Sequence, residues 1–162
     1  MGISRERVLA WLSAYNQDEI TIGVVASHSS LQILHGVRQE GFKTLGIAVG
    51  EGRRRFYSAF PGAEPDEWLM LDDYRDLLNH SEWMRERNVI IVPHGSLVEY
   101  LGVENFRNLE VPTFGNREIL KWESSRESQR IWLEKGGCSM PKVLKDPRDI
   151  EGPVIVKYAG AK

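Results

Sequence analysis

Two short segments of this 162-residue chain carry residue types that can hold an anion. They are Ser27-His28-Ser29-Ser30-Leu31 and His94-Gly95-Ser96-Leu97, which share the form H-x-S-L. Each offers backbone N–H groups at a helix start, a serine hydroxyl, and an imidazole able to donate a hydrogen bond or a positive charge. Together these suit a phosphate monoester. Gly95 lets the backbone approach such a ligand closely. Other chemistries use the same residues. The serines can cap their helices. His94 and Ser96 can be read as a hydrolase pair, although G-x-S-x-G is missing and residues two apart on a tight turn rarely meet as base and nucleophile. His28 and His94 can be read as metal ligands, for which no third ligand stands out.

Both segments follow apolar runs with strand character. Ile20–Ala26 is nearly apolar throughout, as a strand covered on both faces should be, and Leu31, Leu34 and Val37 follow it at helical spacing. Val89-Ile90-Ile91-Val92 is a second such run, leading through Pro93 into the other segment and a short helix over 97–101. Thr44–Val49 and Trp68–Leu71 read as further strands, residues 4–15 as a helix capped by Ser4, and Tyr74–Arg87 as a helix. Val111–Phe114 reads as an edge strand. Alternating strands and helices predict a doubly wound α/β fold with a mainly parallel sheet. Ligands in such folds collect at the carboxyl ends of the strands where strand order reverses, usually between the first and fourth. Those are the strands that end in the two H-x-S-L turns.

The remaining features narrow the function. With 21 basic and 23 acidic residues the formal charge is −2, which argues against a general grip on nucleic acid or an anionic membrane. The single cysteine, Cys138, excludes an internal disulfide and reads as a small buried or half-exposed apolar residue. No signal-peptide core and no span of ~18 apolar residues is present, so a soluble, cytoplasmic protein is expected. Gly50-Glu51-Gly52-Arg53-Arg54-Arg55 reads as a solvated basic loop able to touch a phosphate. It lacks the G-x-G-x-x-G order, so a dinucleotide site is excluded. His35 and His80 read as surface or packing residues. Trp11, Trp83, Trp122 and Trp132 read as core or interface. Arg117, after Gly115-Asn116, can reach a phosphate or simply be structural.

Taken with Asp18–Ile22, Phe114–Arg117, Lys121–Ser124 and Val154–Lys157, the two turns resemble, in order along the whole chain, the archaeal-type formate-dependent 5-formaminoimidazole-4-carboxamide ribonucleotide (FAICAR) synthetases. These are ATP-grasp ligases of purine biosynthesis. The resemblance implies a pre-ATP-grasp, Rossmann-like domain over 1–122 that binds substrate, followed by the start of an ATP-grasp domain over 123–162. It implies activation of formate by ATP as formyl phosphate, which the amine of aminoimidazole carboxamide ribonucleotide (AICAR) attacks. By position, His28 and Ser96 match family residues that contact the ribonucleotide, with Ser27, His94 and Gly95 beside them. Lys157 matches the strand lysine directed at ATP phosphates, on a strand expected over 154–157. The magnesium ligands and the rest of the grasp are expected beyond Lys162, so no catalytic residue is assigned to this chain and the fragment alone is expected to be inactive. The family also implies self-association of unspecified order. The alternatives are a non-catalytic or regulatory nucleotide-phosphate-binding module, or a paralogous ligase with another substrate.

Overall fold

The computed structural model describes residues 2–156. It divides into two compact units, Met1–Arg117 and Glu118–Lys162. The first is built on a four-stranded sheet, entirely parallel, formed by β1 (Thr21–Val25), β2 (Lys43–Val49), β3 (Glu67–Leu71) and β4 (Val89–Ile91) in the order β3-β2-β1-β4. The chain moves outward from β1 to β2 to β3, then returns to pair β4 with the other side of β1. That reversal puts the switch point between β1 and β4, where the sequence predicts it.

The helices follow from the apolar spacing. Helix α1 (Arg5–Ala14) is capped by the Ser4 hydroxyl, which accepts the Arg7 N–H. Helix α2 (Ser30–Gln39) buries Leu34 against Val24 and Ala63. The predicted helix over 74–87 is split into a 3-10 helix, Tyr74–His80, and α4 (Ser81–Glu86). Asp73 closes the 3-10 start with a reciprocal capping box to Asp76, which stabilises a helix beginning at that residue. Helices α5 (Gly95–Leu101) and α6 (Val103–Asn108) complete the unit, the latter burying Phe106. By the right-handed crossover rule, the reversal after β3 carries 74–86 to the sheet face opposite α2.

Other expectations change. Residues 51–58 form helix α3 (Glu51–Ser58) instead of a loop, because Gly50 takes a φ of +80° and turns the chain from β2 directly into a helix. The edge strand over 111–114 reduces to one parallel bridge, Ile91 to Thr113, with the Ile91 N–H donating to Pro112 and the Phe114 N–H to Ile91. Residues 154–156 are not in a strand and are exposed, Ile155 at 84%. A lone extended segment has no ladder to satisfy its backbone. Cys138 is exposed. Trp132 is exposed as well, while the Trp11 ring has the guanidinium groups of Arg7 and Arg85 each about 5 Å from its centroid.

Close approach at β2 demands a glycine. A Cβ on Gly46 would stand 2.6 Å from the Trp68 ring and 2.7 Å from Pro65. That ring is held by its indole N–H, which donates to the Ser58 hydroxyl at 3.1 Å. Nearby, the Asp66 carboxylate accepts from the Thr44 N–H, the Thr44 hydroxyl and Arg38, and pins the start of β3 to that of β2. Burial alone would raise its pKa; these bonds outweigh it and hold the carboxyl below its ordinary value.

The second unit contains α7 (Leu120–Glu123), α8 (Arg126–Lys135) capped by Ser125, and a 3-10 turn at Pro147–Asp149 opened by Asp146. Gly46→Ala should lower the unfolding free energy by about 1–3 kcal/mol through overpacking. Gly36→Ala, in α2 with nothing within 4 Å of the added carbon, should raise it by up to about 1 kcal/mol. Denaturant midpoints of the two variants would then move in opposite directions.

Candidate functional site

The parallel pairing of β1 with β4 sets their carboxyl ends side by side, so the two H-x-S-L turns meet at one edge of the sheet. In the first turn the Ser30 hydroxyl donates to the Ser27 carbonyl at 2.7 Å and accepts the Ser27 N–H at 3.1 Å. Ser30 is fully buried and shapes the turn from within. Ser29 occupies the cap position of α2 without a side-chain cap bond. Ser27 is buried, and His28 is exposed at the apex.

The second turn is joined to the first through His94. Its Nε2 lies 2.9 Å from the Val25 carbonyl, which can only accept, so the ring carries its proton there. Nδ1 is left as an acceptor, 3.5 Å from the Ser27 hydroxyl, a loose contact that aims this O–H at the ring. Burial holds the His94 pKa below the ordinary histidine value; the Val25 bond opposes this, and the nearby charge of His28 adds to the lowering. His94 is therefore neutral at pH 7. Its donor is engaged with Val25, so it orients the first turn instead of bringing a positive charge.

Ser96 is buried in the first turn of α5. Beside it Gly95 is exposed, with no atom within 4 Å of where a Cβ would stand, so the space before the backbone is open. Ser27, His28, His94, Gly95 and Ser96 thus share one edge. Arg117 is employed elsewhere. Its side chain is buried, with Nη1 donating to Leu109 at 2.5 Å, Nη2 to Val111 at 2.5 Å, and the guanidinium 5.5 Å from the Phe106 ring. Those bonds tie down the segment after α6. Lys157 lies outside the described residues.

The sequence reading placed Arg53 in a solvated basic loop able to touch a phosphate, and it did not single out Tyr74 or Tyr100. Arg53 of α3 donates from Nη1 to the Ala26 carbonyl at 2.7 Å. Its guanidinium lies 5.3 Å from the Tyr100 ring and 6.0 Å from the Tyr74 ring, and those two rings stack at 4.7 Å. The available signal was the glycine-flanked arginine run. A groove of about 600 Å³ in this unit is lined by Gly50, Glu51, Leu71, Asp72, Asp76 and His80 among others. Its carboxylates make it a poor seat for a phosphate. Among the described residues no three His, Cys, Asp or Glu side chains converge to hold a metal ion, and no helix is long and apolar enough to cross a membrane.

Residues 22–144 match the family model described as "Protein of unknown function (DUF1246)". The chain is 57% identical over 160 residues to a 5-formaminoimidazole-4-carboxamide-1-(beta)-D-ribofuranosyl 5'-monophosphate synthetase of Methanosarcina acetivorans, covering 99% of this chain and 45% of that protein. Methanosarcina mazei has two relatives of that name, numbered 1 and 2, at 56% and 54% identity, each with the same coverage. The chain thus spans a little under half the length of these relatives. Among solved structures it is similar to the phosphoribosylaminoimidazole carboxylase ATPase subunit from Aquifex aeolicus, at 15% identity and a TM-score of 0.46, covering 77% of this chain and 36% of that one.

Because the folded state depresses the His94 pKa, the neutral ring's contribution to stability is complete above the unfolded value near 6.5 and is lost as pH falls through the lower folded value. His94→Gln, which keeps an amide donor for Val25 but does not titrate, should therefore lose less thermal stability than the unmodified chain between pH 7 and pH 5. Parallel melting curves across that range provide the check.

Proposed function

We propose, because this chain belongs to the DUF1246 family, that its first unit is the ribonucleotide-holding portion of an ATP-dependent carbon–nitrogen ligase that formylates AICAR in purine biosynthesis. The observation that carries the reading is the convergence of two serine–histidine turns, joined through His94, at the sheet's switch point. The name borne by the relatives supports it, since it specifies a ribofuranosyl 5'-monophosphate. Such a ligand brings a phosphate that turns of this kind can receive.

In this reading His28 and Ser96 contact the ribonucleotide from opposite turns. Ser27 and Gly95 border the same space, and His94 positions Ser27. Holding the acceptor in one orientation is itself catalytic, because an oriented amine needs no further loss of rotational freedom to attack. ATP and formate complete the proposed reaction, and the cytoplasm is its proposed setting. Magnesium belongs to the proposal too, although among the described residues no three His, Cys, Asp or Glu side chains converge to hold it. The proposed nucleotide contact, Lys157, and the division into a substrate domain and the start of an ATP-grasp domain rest on the resemblance; Arg117, donating to the Leu109 and Val111 carbonyls, is no part of the proposed phosphate seat.

The two numbered relatives in one organism favour a second reading, in which paralogues of one scaffold hold different ribonucleotides. Ligand-dependent melting separates the two. AICAR should raise the melting temperature of this chain more than other ribose monophosphates do, since a ligand that binds only the folded state stabilises it by mass action. His28→Ala and Ser96→Ala should each weaken AICAR binding by about 1–3 kcal/mol, the scale of a lost hydrogen bond to a charged group. An unchanged shift in both variants would remove the crevice from the account. A larger shift with another ribose monophosphate would favour the paralogue.

A further inference from the structure

A phosphate dianion in the crevice calls for positive charge, and among the turn residues only the exposed His28 is placed to bring one. Ser27, Gly95 and Ser96 are uncharged, and His94 is held neutral. A permanent cation is nevertheless fastened to the first turn. Arg53 donates to the carbonyl of Ala26, the residue immediately before Ser27. Its guanidinium also lies over Tyr100, which stands on the helix that His94 and Gly95 open. Arg53 thus links α3 to the strand end before the first turn and to α5, the helix that the second turn opens.

The neighbouring arginines are placed differently. Arg54 is paired with Glu51 at 2.5 Å, and Arg55 is exposed. Arg53 is half-buried, and its ordering is supplied by a carbonyl and two stacked rings, so a ligand would not have to immobilise a free side chain. A guanidinium carries five N–H donors in a planar fork. Ala26 takes one, and the guanidinium lies over the Tyr100 ring. The rest of the fork suits an anion bound bidentately.

On the crevice reading above, we propose that Arg53 is the phosphate-reading residue, the one that makes this site select a ribose monophosphate over the corresponding riboside. A purely structural bracket between α3 and the first turn is the competing account. It predicts equal loss of both ligands on mutation.

Calorimetric titration of this chain with AICAR, its dephosphorylated riboside and ribose 5-phosphate tests the assignment. Arg53→Gln should weaken AICAR and ribose 5-phosphate by about 10- to 100-fold, the scale of a lost charge-assisted contact. The riboside should bind as before. Arg53→Lys, which keeps the charge but not the fork, should fall between and become more salt-sensitive; it carries the same comparison if the glutamine variant does not fold. Equal weakening of nucleotide and riboside, or no weakening, overturns the proposal. AICAR binding that is indifferent to Arg53 leaves the substrate reading standing without it. Arg53-dependent binding of ribose 5-phosphate with no binding of AICAR does the reverse. If the unmodified chain binds none of the three, both fall.

Discussion

The hydrogen bond from His94 Nε2 to the Val25 carbonyl is the constraint on which the site depends. It joins the end of one strand to the turn after another, and it does so with the neutral form of a half-buried imidazole. That single bond fixes the ring's tautomer, turns Nδ1 toward Ser27, and gives the Val25 carbonyl at the end of β1 a donor from the second turn. A protonated ring could keep the Val25 bond, but it would give up its acceptor and place an unpaired charge in a poorly solvated spot. Geometry and protonation state therefore support each other.

Much of this edge was legible from the sequence, for reasons of pattern. Ile20–Ala26 and Val89–Val92 are β-branched and apolar, and each runs into polar turn residues and then helical spacing, so the strand–turn–helix units and their parallel arrangement follow from periodicity. The switch point then follows from chain reversal. What pattern could not supply was the division of labour within each turn. Ser27, Ser29 and Ser30 are alike in composition, yet one faces His94, one holds the cap position without a cap bond, and one closes the turn from inside. Only three-dimensional proximity across nearly seventy residues separates them.

The helical setting of Arg53 and its tyrosine partners were illegible for a different reason. Glycines at 50 and 52 argue for a loop, but Gly50 alone, at positive φ, suffices to turn the chain into a helix, and Gly52 is tolerated inside it. The stack of Tyr74 on Tyr100 joins residues twenty-six positions apart in a 3-10 segment and a short helix, with no period to betray it. The converse error occurred at 154–156, where β-branched composition suggested a strand that finds no partner among the described residues.

The separation of the His94 contacts along the chain has a kinetic consequence. Val25 and His94 are 69 residues apart, and Ser27 and His94 are 67 apart. A nascent chain can pair β1 with β2 soon after residue 49 emerges, but the crevice cannot close until β4 and the start of α5 have been synthesised and docked. Contacts of such span form after local ones, because their loop-closure entropy is recovered only once the intervening elements have condensed. The site is thus among the last parts of the first unit to assemble, and a chain able to seat a ligand there has already folded the sheet that carries it.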